Sequence, residues 1–66
     1  MCQAKIWVRV KGEEKEVARD ITQLEVKGDS LLLKTFFEAP KEIKGRIKEI
    51  DFLKGKVIIE ADEFPQ

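Results

Sequence analysis

Histidine is absent from the chain, and cysteine occurs once, at position 2. Without imidazole, the commonest general acid–base group and the commonest nitrogen ligand for metals are both missing. One thiol closes no internal disulfide, so no covalent staple holds the fold. Neither sign of charge is in excess: 13 Lys and Arg face 13 Asp and Glu. That balance removes the long-range pull towards nucleic acid or anionic lipid. The apolar runs are only a few residues long, far below the roughly 20 needed to cross a bilayer. The start of the chain lacks the basic-then-apolar layout of a secretory leader. No glycine-rich phosphate loop, no paired cysteines and no nucleophile–histidine pair is present. These absences predict a protein of the cytoplasm, where a lone reduced thiol persists, with no membrane segment and no catalytic machinery.

What is present is a short chain with period-two patterning. Its 66 residues make one domain over 1–66 with a thin core, since a chain of this size buries only about 60% of its unfolded surface. Domains this small often lean on a partner subunit or a metal. Cys2, Ala4, Ile6, Val8 and Val10 alternate with Gln3, Lys5, Trp7 and Arg9, the pattern of a half-buried strand. Lys11–Lys15, "KGEEK", reads as a hairpin turn. Val17, Ile21, Leu24 and Val26 continue the apolar pattern, with a slip around Arg19 and Asp20 that predicts a bend or bulge. "KGDS" is a second turn. The strand "LLLKTFF" sets Leu31, Leu33, Thr35 and Phe37 on one face, and "EAPK" interrupts it at Pro40.

The segment "KEIKGRIKEIDF" fits two periods. Ile43, Gly45 and Ile47 alternate, whereas Ile43, Ile47 and Ile50 with Lys54 would line a helix face. Gly45 costs a helix interior about 1 kcal/mol, so strand is the reading, with a register shift near Glu49. After the "LKGK" turn, "KVIIEAD" is a last strand of β-branched residues, and "EFPQ" a frayed tail. Short strands with frequent turns predict an all-β fold. At this length that points to a small barrel of five or six strands, SH3-like or Sm-like, because closing a sheet removes its edges.

Three features bear on function. Trp7, Phe36, Phe37, Phe52 and Phe64 invite a nucleic-acid reading, and Lys5, Trp7 and Arg9 share one strand face, as an aromatic platform for single-stranded RNA would need; the bland reading is that Trp7 covers a core edge or a subunit contact. Lys44, Arg46 and Lys48 alternate with Gly45 and Ile47, so they would share a face, tracking a phosphate backbone or simply meeting water. Glu42 and Glu49 dilute that charge. Cys2 reads most simply as a small buried hydrophobe. Its place beside the Met1 amine allows a second reading, because thiolate with nitrogen suits borderline metals. One chain offers few strong ligands, and a two-fold partner would double them. A third possibility is an interaction domain in which Cys2 is inert.

The opening "MC-x-A", the "GDSLLL" turn and strand, the "F-F-x-x-x-K-x-I-K-G-x-I-K-E-I-D" block and the closing "GKVIIE" together resemble the CooT family along nearly all of the chain. That resemblance implies a small homodimer that binds Ni(II) and serves nickel delivery to carbon monoxide dehydrogenase. It maps the family's nickel-binding cysteine onto Cys2. It also implies a small-barrel character that has led to the label of RNA binding. The metal expectation is then Ni(II) held by the Cys2 thiolate and terminal nitrogen. If Met1 is removed, two Cys2 amine–thiolate pairs form a planar N₂S₂ set across a dimer. If Met1 stays, its amine, the Cys2 amide nitrogen and the thiolate chelate within one chain.

Overall fold

The computed structural model describes residues 4–65, and these form seven strands. They are β1 (Ala4–Val10), β2 (Glu13–Ile21), β3 (Gln23–Lys27), β4 (Ser30–Lys34), β5 (Lys41–Lys44), β6 (Arg46–Asp51) and β7 (Lys56–Glu60). The alternation of β1 does what period two requires. Ile6 and Val8 are fully buried, while Lys5, Trp7 and Arg9 turn to the opposite face. The first hairpin turn is tighter than the expected five residues. Lys11 and Gly12 alone make it, with φ of 51° and 87°, because a two-residue hairpin that follows the strand twist needs both central residues at positive φ. The slip at Arg19–Asp20 is a bulge: the β1–β2 register shifts twice between Ala4 and Trp7, and Asp20 has φ 59°.

The strands form a four-stranded sheet, β2-β1-β7-β6, and a three-stranded sheet, β3-β4-β5. Expecting one closed barrel of five or six strands was therefore wrong: the described residues form seven strands in two open sheets, with no closure of the ladder among them. Two bends account for the difference. Thr22 separates β2 from β3, and Gly45 separates β5 from β6, so each of two long apolar segments is cut in half and shared between the sheets. Each bend is held by isolated bonds instead of a ladder. The Thr22 N–H and hydroxyl both donate to the Lys34 carbonyl, at 2.9 and 3.1 Å, and the Gly45 N–H donates to the Asp29 carbonyl at 3.0 Å. The pleat breaks at these points, and β2 and β6 remain edges of one sheet, β3 and β5 of the other.

β1 is central in its sheet, antiparallel to β2 and parallel to β7. Ile6, Val8, Ile21, Leu31, Leu33, Ile43 and Ile59 form the core, each contributing about 1.5–3 kcal/mol through burial. Phe64 packs against this cluster, with the Lys15 ammonium 4.7 Å from its ring centre. The carboxy-terminal segment as far as Pro65 is thus anchored by an aromatic side chain, where the sequence had suggested fraying.

Candidate functional site

Cys2, and with it the Met1 amine, lies outside the described residues. The strand leading away from it is fixed. Ala4 pairs with Ile21, Lys5 pairs with Lys56, and the Lys5 N–H donates to the Gly55 carbonyl at 2.7 Å. The amino-terminal end of β1 therefore stands between two features: the Thr22 corner on the β2 side and the β6–β7 turn on the other. Among the described residues, no group of three or more His, Cys, Asp or Glu could hold a metal ion. The described residues therefore offer no ready ligand cluster of their own.

Several large apolar side chains outside the core meet water. Phe52 and Leu53, in the β6–β7 turn, are 86% and 99% exposed, and Phe36, after β4, is 84% exposed. Phe36 and Phe37 stack edge to face with centroids 5.3 Å apart. The sequence singled out Phe36, Phe37 and Phe52 as aromatics but passed over Leu53. Its signal was available: two large apolar residues, Phe52 and Leu53, directly before the polar turn residues Lys54 and Gly55.

Trp7, Lys5 and Arg9 do lie on one face of β1, but Trp7 and Arg9 already have partners. The Lys56 ammonium sits 4.4 Å from the centre of the Trp7 ring. Arg9 holds Glu14 through Nε at 2.9 Å and a second guanidinium nitrogen at 2.5 Å, and Lys56 reaches the other Glu14 oxygen at 3.5 Å. The Arg9 hydrogen bonds, with Lys56 adding attraction, hold the Glu14 carboxyl below the ordinary glutamate range, and Glu14 in turn raises the Arg9 pKa. A stacking platform for bases needs an open ring and free cations. Here one cation covers the ring and both cations share a carboxylate.

The expected basic stripe does not form. Lys44 belongs to β5 and pairs with Ser30, whereas Arg46 belongs to β6 and pairs with Glu60 in the other sheet. Lys48 lies at the register shift between Ile47 and Glu49. The Gly45 bend and the bulge send the three side chains to different surroundings. Period-two reasoning could not register this, since it assumes an unbroken pleat.

One comparison decides the family. The family described as CO dehydrogenase accessory protein CooT matches residues 1–60. The chain belongs to the CooT family. No curated protein matches it. As a CooT-family member it is an accessory protein and not an enzyme. The match begins at residue 1 and so takes in Cys2; it ends at 60, so the segment carrying Phe64 lies beyond it. No helix among the described residues is long and apolar enough to cross a membrane.

Proposed function

We propose that this CooT-family protein binds Ni(II) and carries it in the cytoplasm, for maturation of carbon monoxide dehydrogenase or another nickel enzyme. One observation carries the reading: the family match spans Cys2, the only thiol in a chain without histidine. Nickel is cargo here. A thiolate with terminal nitrogen suits Ni(II), whereas zinc favours tetrahedral sites richer in thiolate or imidazole. A small ligand set released by exchange fits delivery to a client better than permanent storage. The working form is a homodimer, which supplies two amino termini.

The experiment is a nickel titration of the wild type against Cys2→Ser, followed in the near-ultraviolet, where thiolate–nickel charge transfer absorbs. The wild type should develop the band to saturation. Cys2→Ser should show none while keeping the same far-ultraviolet spectrum. Equal nickel affinity in the two proteins would refute the assignment. The alternative, a β-rich RNA-binding module, loses its main support because Trp7 is capped by Lys56 and Arg9 is tied to Glu14.

A further inference from the structure

β5 is the last strand of the three-stranded sheet, and its outer edge is unpaired. In an antiparallel pair, positions that exchange backbone hydrogen bonds alternate with positions that do not. The bond from the Gly45 N–H to the Asp29 carbonyl fixes the phase, because it lies in the same register as Ser30↔Lys44 and Leu31↔Ile43. Lys41 and Ile43 therefore turn their backbone groups to β4. The N–H and C=O groups of Glu42 and Lys44 point the other way, and no backbone bond among the described residues takes them up. This edge borders a groove of about 1260 Å³ that also runs along residues 60–65. That volume exceeds the roughly 300–1,000 Å³ of small-molecule sites and suits a length of chain. The two sides differ in charge. Lys41 and Lys44 stand on the β5 side, and Glu60, Asp62 and Glu63 on the other. None of these five forms an ion pair among the described residues, all of whose charge pairs lie elsewhere. Ile43 and Phe64 supply apolar lining.

We propose that this groove takes an extended peptide segment of a partner protein, which adds to β5 as an antiparallel strand. Strand addition draws its affinity from main-chain bonds and its specificity from alternate side chains. The register dictates the order of residues that fits. Running against β5, the peptide meets Lys44 first, then Ile43, Glu42 and Lys41. Side chains directly opposite one another interact, and opposite charges favour the pairing. An acid therefore suits the position facing Lys44, an apolar residue the position beside Ile43, a base the position facing Glu42 and an acid the position facing Lys41. The favoured order is Glu-Val-Lys-Glu. A nucleic acid strand fits this groove poorly, since the three carboxylates on the 60–65 side would repel its phosphates. A broad sheet-to-sheet contact fits poorly too, because β5 has only four residues, and short edges resist such pairing. The proposal goes beyond nickel carriage and uses none of the residues ahead of β1.

The test uses the full chain without nickel. The probe is an acetylated, amidated peptide with Glu-Val-Lys-Glu between flanking threonines, titrated into isotope-labelled protein and followed by nuclear magnetic resonance. Binding should saturate with a dissociation constant on the order of 100 μM. At saturation, hydrogen exchange of the Glu42 and Lys44 amides should slow at least about tenfold, while Lys41 and Ile43, already bonded to β4, change little. N-methylating the two peptide residues that face Lys44 and Glu42 removes their donors to β5 and should weaken binding at least about tenfold. N-methylating the valine, whose N–H points away from β5, should leave affinity within about threefold. Lys44→Glu should bind this peptide less well and prefer one whose first glutamate is replaced by lysine. Lys44 is exposed, so its far-ultraviolet spectrum should not change; Lys41→Glu with its own matched peptide is the second variant if it does. No saturable binding at millimolar peptide would overturn the proposal. So would equal affinity for the doubly N-methylated peptide, slowed exchange on β2, β3 or β6 instead, or protection of Glu42 and Lys44 by pairing of the chain with itself. None of these results bears on whether Cys2→Ser loses nickel.

Discussion

Gly45 turns the chain from one sheet into the other, and its replacement by alanine should be the most damaging single-methyl change in the protein. A Cβ there would lie 2.7 Å from Ile59 Cγ2, 2.8 Å from the Glu60 carbonyl oxygen and 3.3 Å from the Ala61 Cβ. Carbon atoms pack best at about 3.5–4.0 Å, so the overlap approaches 1 Å. Neither main neighbour can retreat. Ile59 is fully buried, and Glu60 ends β7, which pairs with β1 on one side and β6 on the other. The φ of 155° adds a conformation that side chains rarely adopt. Overpacking costs about 1–3 kcal/mol, and a rare backbone region about 1–3 kcal/mol. Against a total stability of roughly 3–10 kcal/mol for a domain of this size, their sum is a large fraction. With a urea slope near 1 kcal/mol/M, the midpoint should fall by about 2 M or more. Gly12→Ala and Gly28→Ala separate contact from conformation: both glycines have positive φ but nothing within 4 Å of the added carbon. They should cost only the left-handed penalty of about 1–2 kcal/mol. Urea melts followed by Trp7 fluorescence and far-ultraviolet circular dichroism measure all three. A Gly45→Ala midpoint no lower than that of Gly12→Ala would refute the crowding at this bend.

Acid should weaken the fold through Glu14 and Glu25. Both carboxyls are held below their ordinary range, Glu14 by hydrogen bonds from Arg9 and Glu25 by one from Lys34. A lowered folded pKa gives stability that is present above about pH 4.3 and lost as pH falls further. The effect is modest at partly exposed pairs. Thermal melts from pH 6 to pH 3 should show the melting temperature falling below about pH 4.5, and Glu14→Gln should flatten part of that slope; an unchanged slope would remove Glu14 from the account. A second expectation concerns the amino terminus. A few residues added ahead of Met1 would convert the amine into a peptide nitrogen and should weaken nickel binding at least about tenfold while leaving the sheets intact. In the unextended protein, protons compete with nickel for an amine of pKa about 7.7–8.0 and a thiol of about 8.5, so affinity should drop from pH 8 to pH 6. Calorimetric titration of both forms decides it: equal affinities would show that the partner ligands come from elsewhere.

Face and partner are different kinds of information, and the sequence carries them unequally. The alternation along β1 correctly buried Ile6 and Val8, and the register shift expected near Glu49 is found between Ile47 and Glu49, whereas Gly45, read only as an argument against helix, divides the segment into two strands. Which strand lies beside β1 was not legible, since a period-two pattern reports which way a side chain points and nothing about neighbours. The parallel partner β7, some 50 residues away in the chain, is set by packing alone. The barrel expectation failed for the same reason. Thr22 has no unusual composition to announce a corner, and treating 41–52 as one strand also aligned Lys44, Arg46 and Lys48 falsely. Phe64 looked like a frayed end because the polar Asp62 and Glu63 precede it, yet its ring had the core to gain. At the candidate site, the position of Cys2 and the resemblance around it were legible. Phe36, Phe37 and Phe52 stood out as aromatics that could meet a nucleic acid, but their exposure, and that of Leu53, was not legible from a period-two pattern.

The same pairing of charges that argues against RNA also bears on metal selectivity. Carboxylates are the chain's most abundant potential ligands, and several of them on the sheet faces are committed. Glu14 is shared by Arg9 and Lys56, Glu16 pairs with Arg19, and Glu25 pairs with Lys34 at 2.5 Å. A cation placed near any of these would have to displace a guanidinium or ammonium, and hard-ligand metals would gain little. Soft and borderline metals have a different route, because the single thiol stands apart from these networks in the sequence, ahead of β1. Ion pairing that occupies these sheet-face carboxylates therefore leaves the single thiol at position 2 as the most distinctive potential ligand in the sequence.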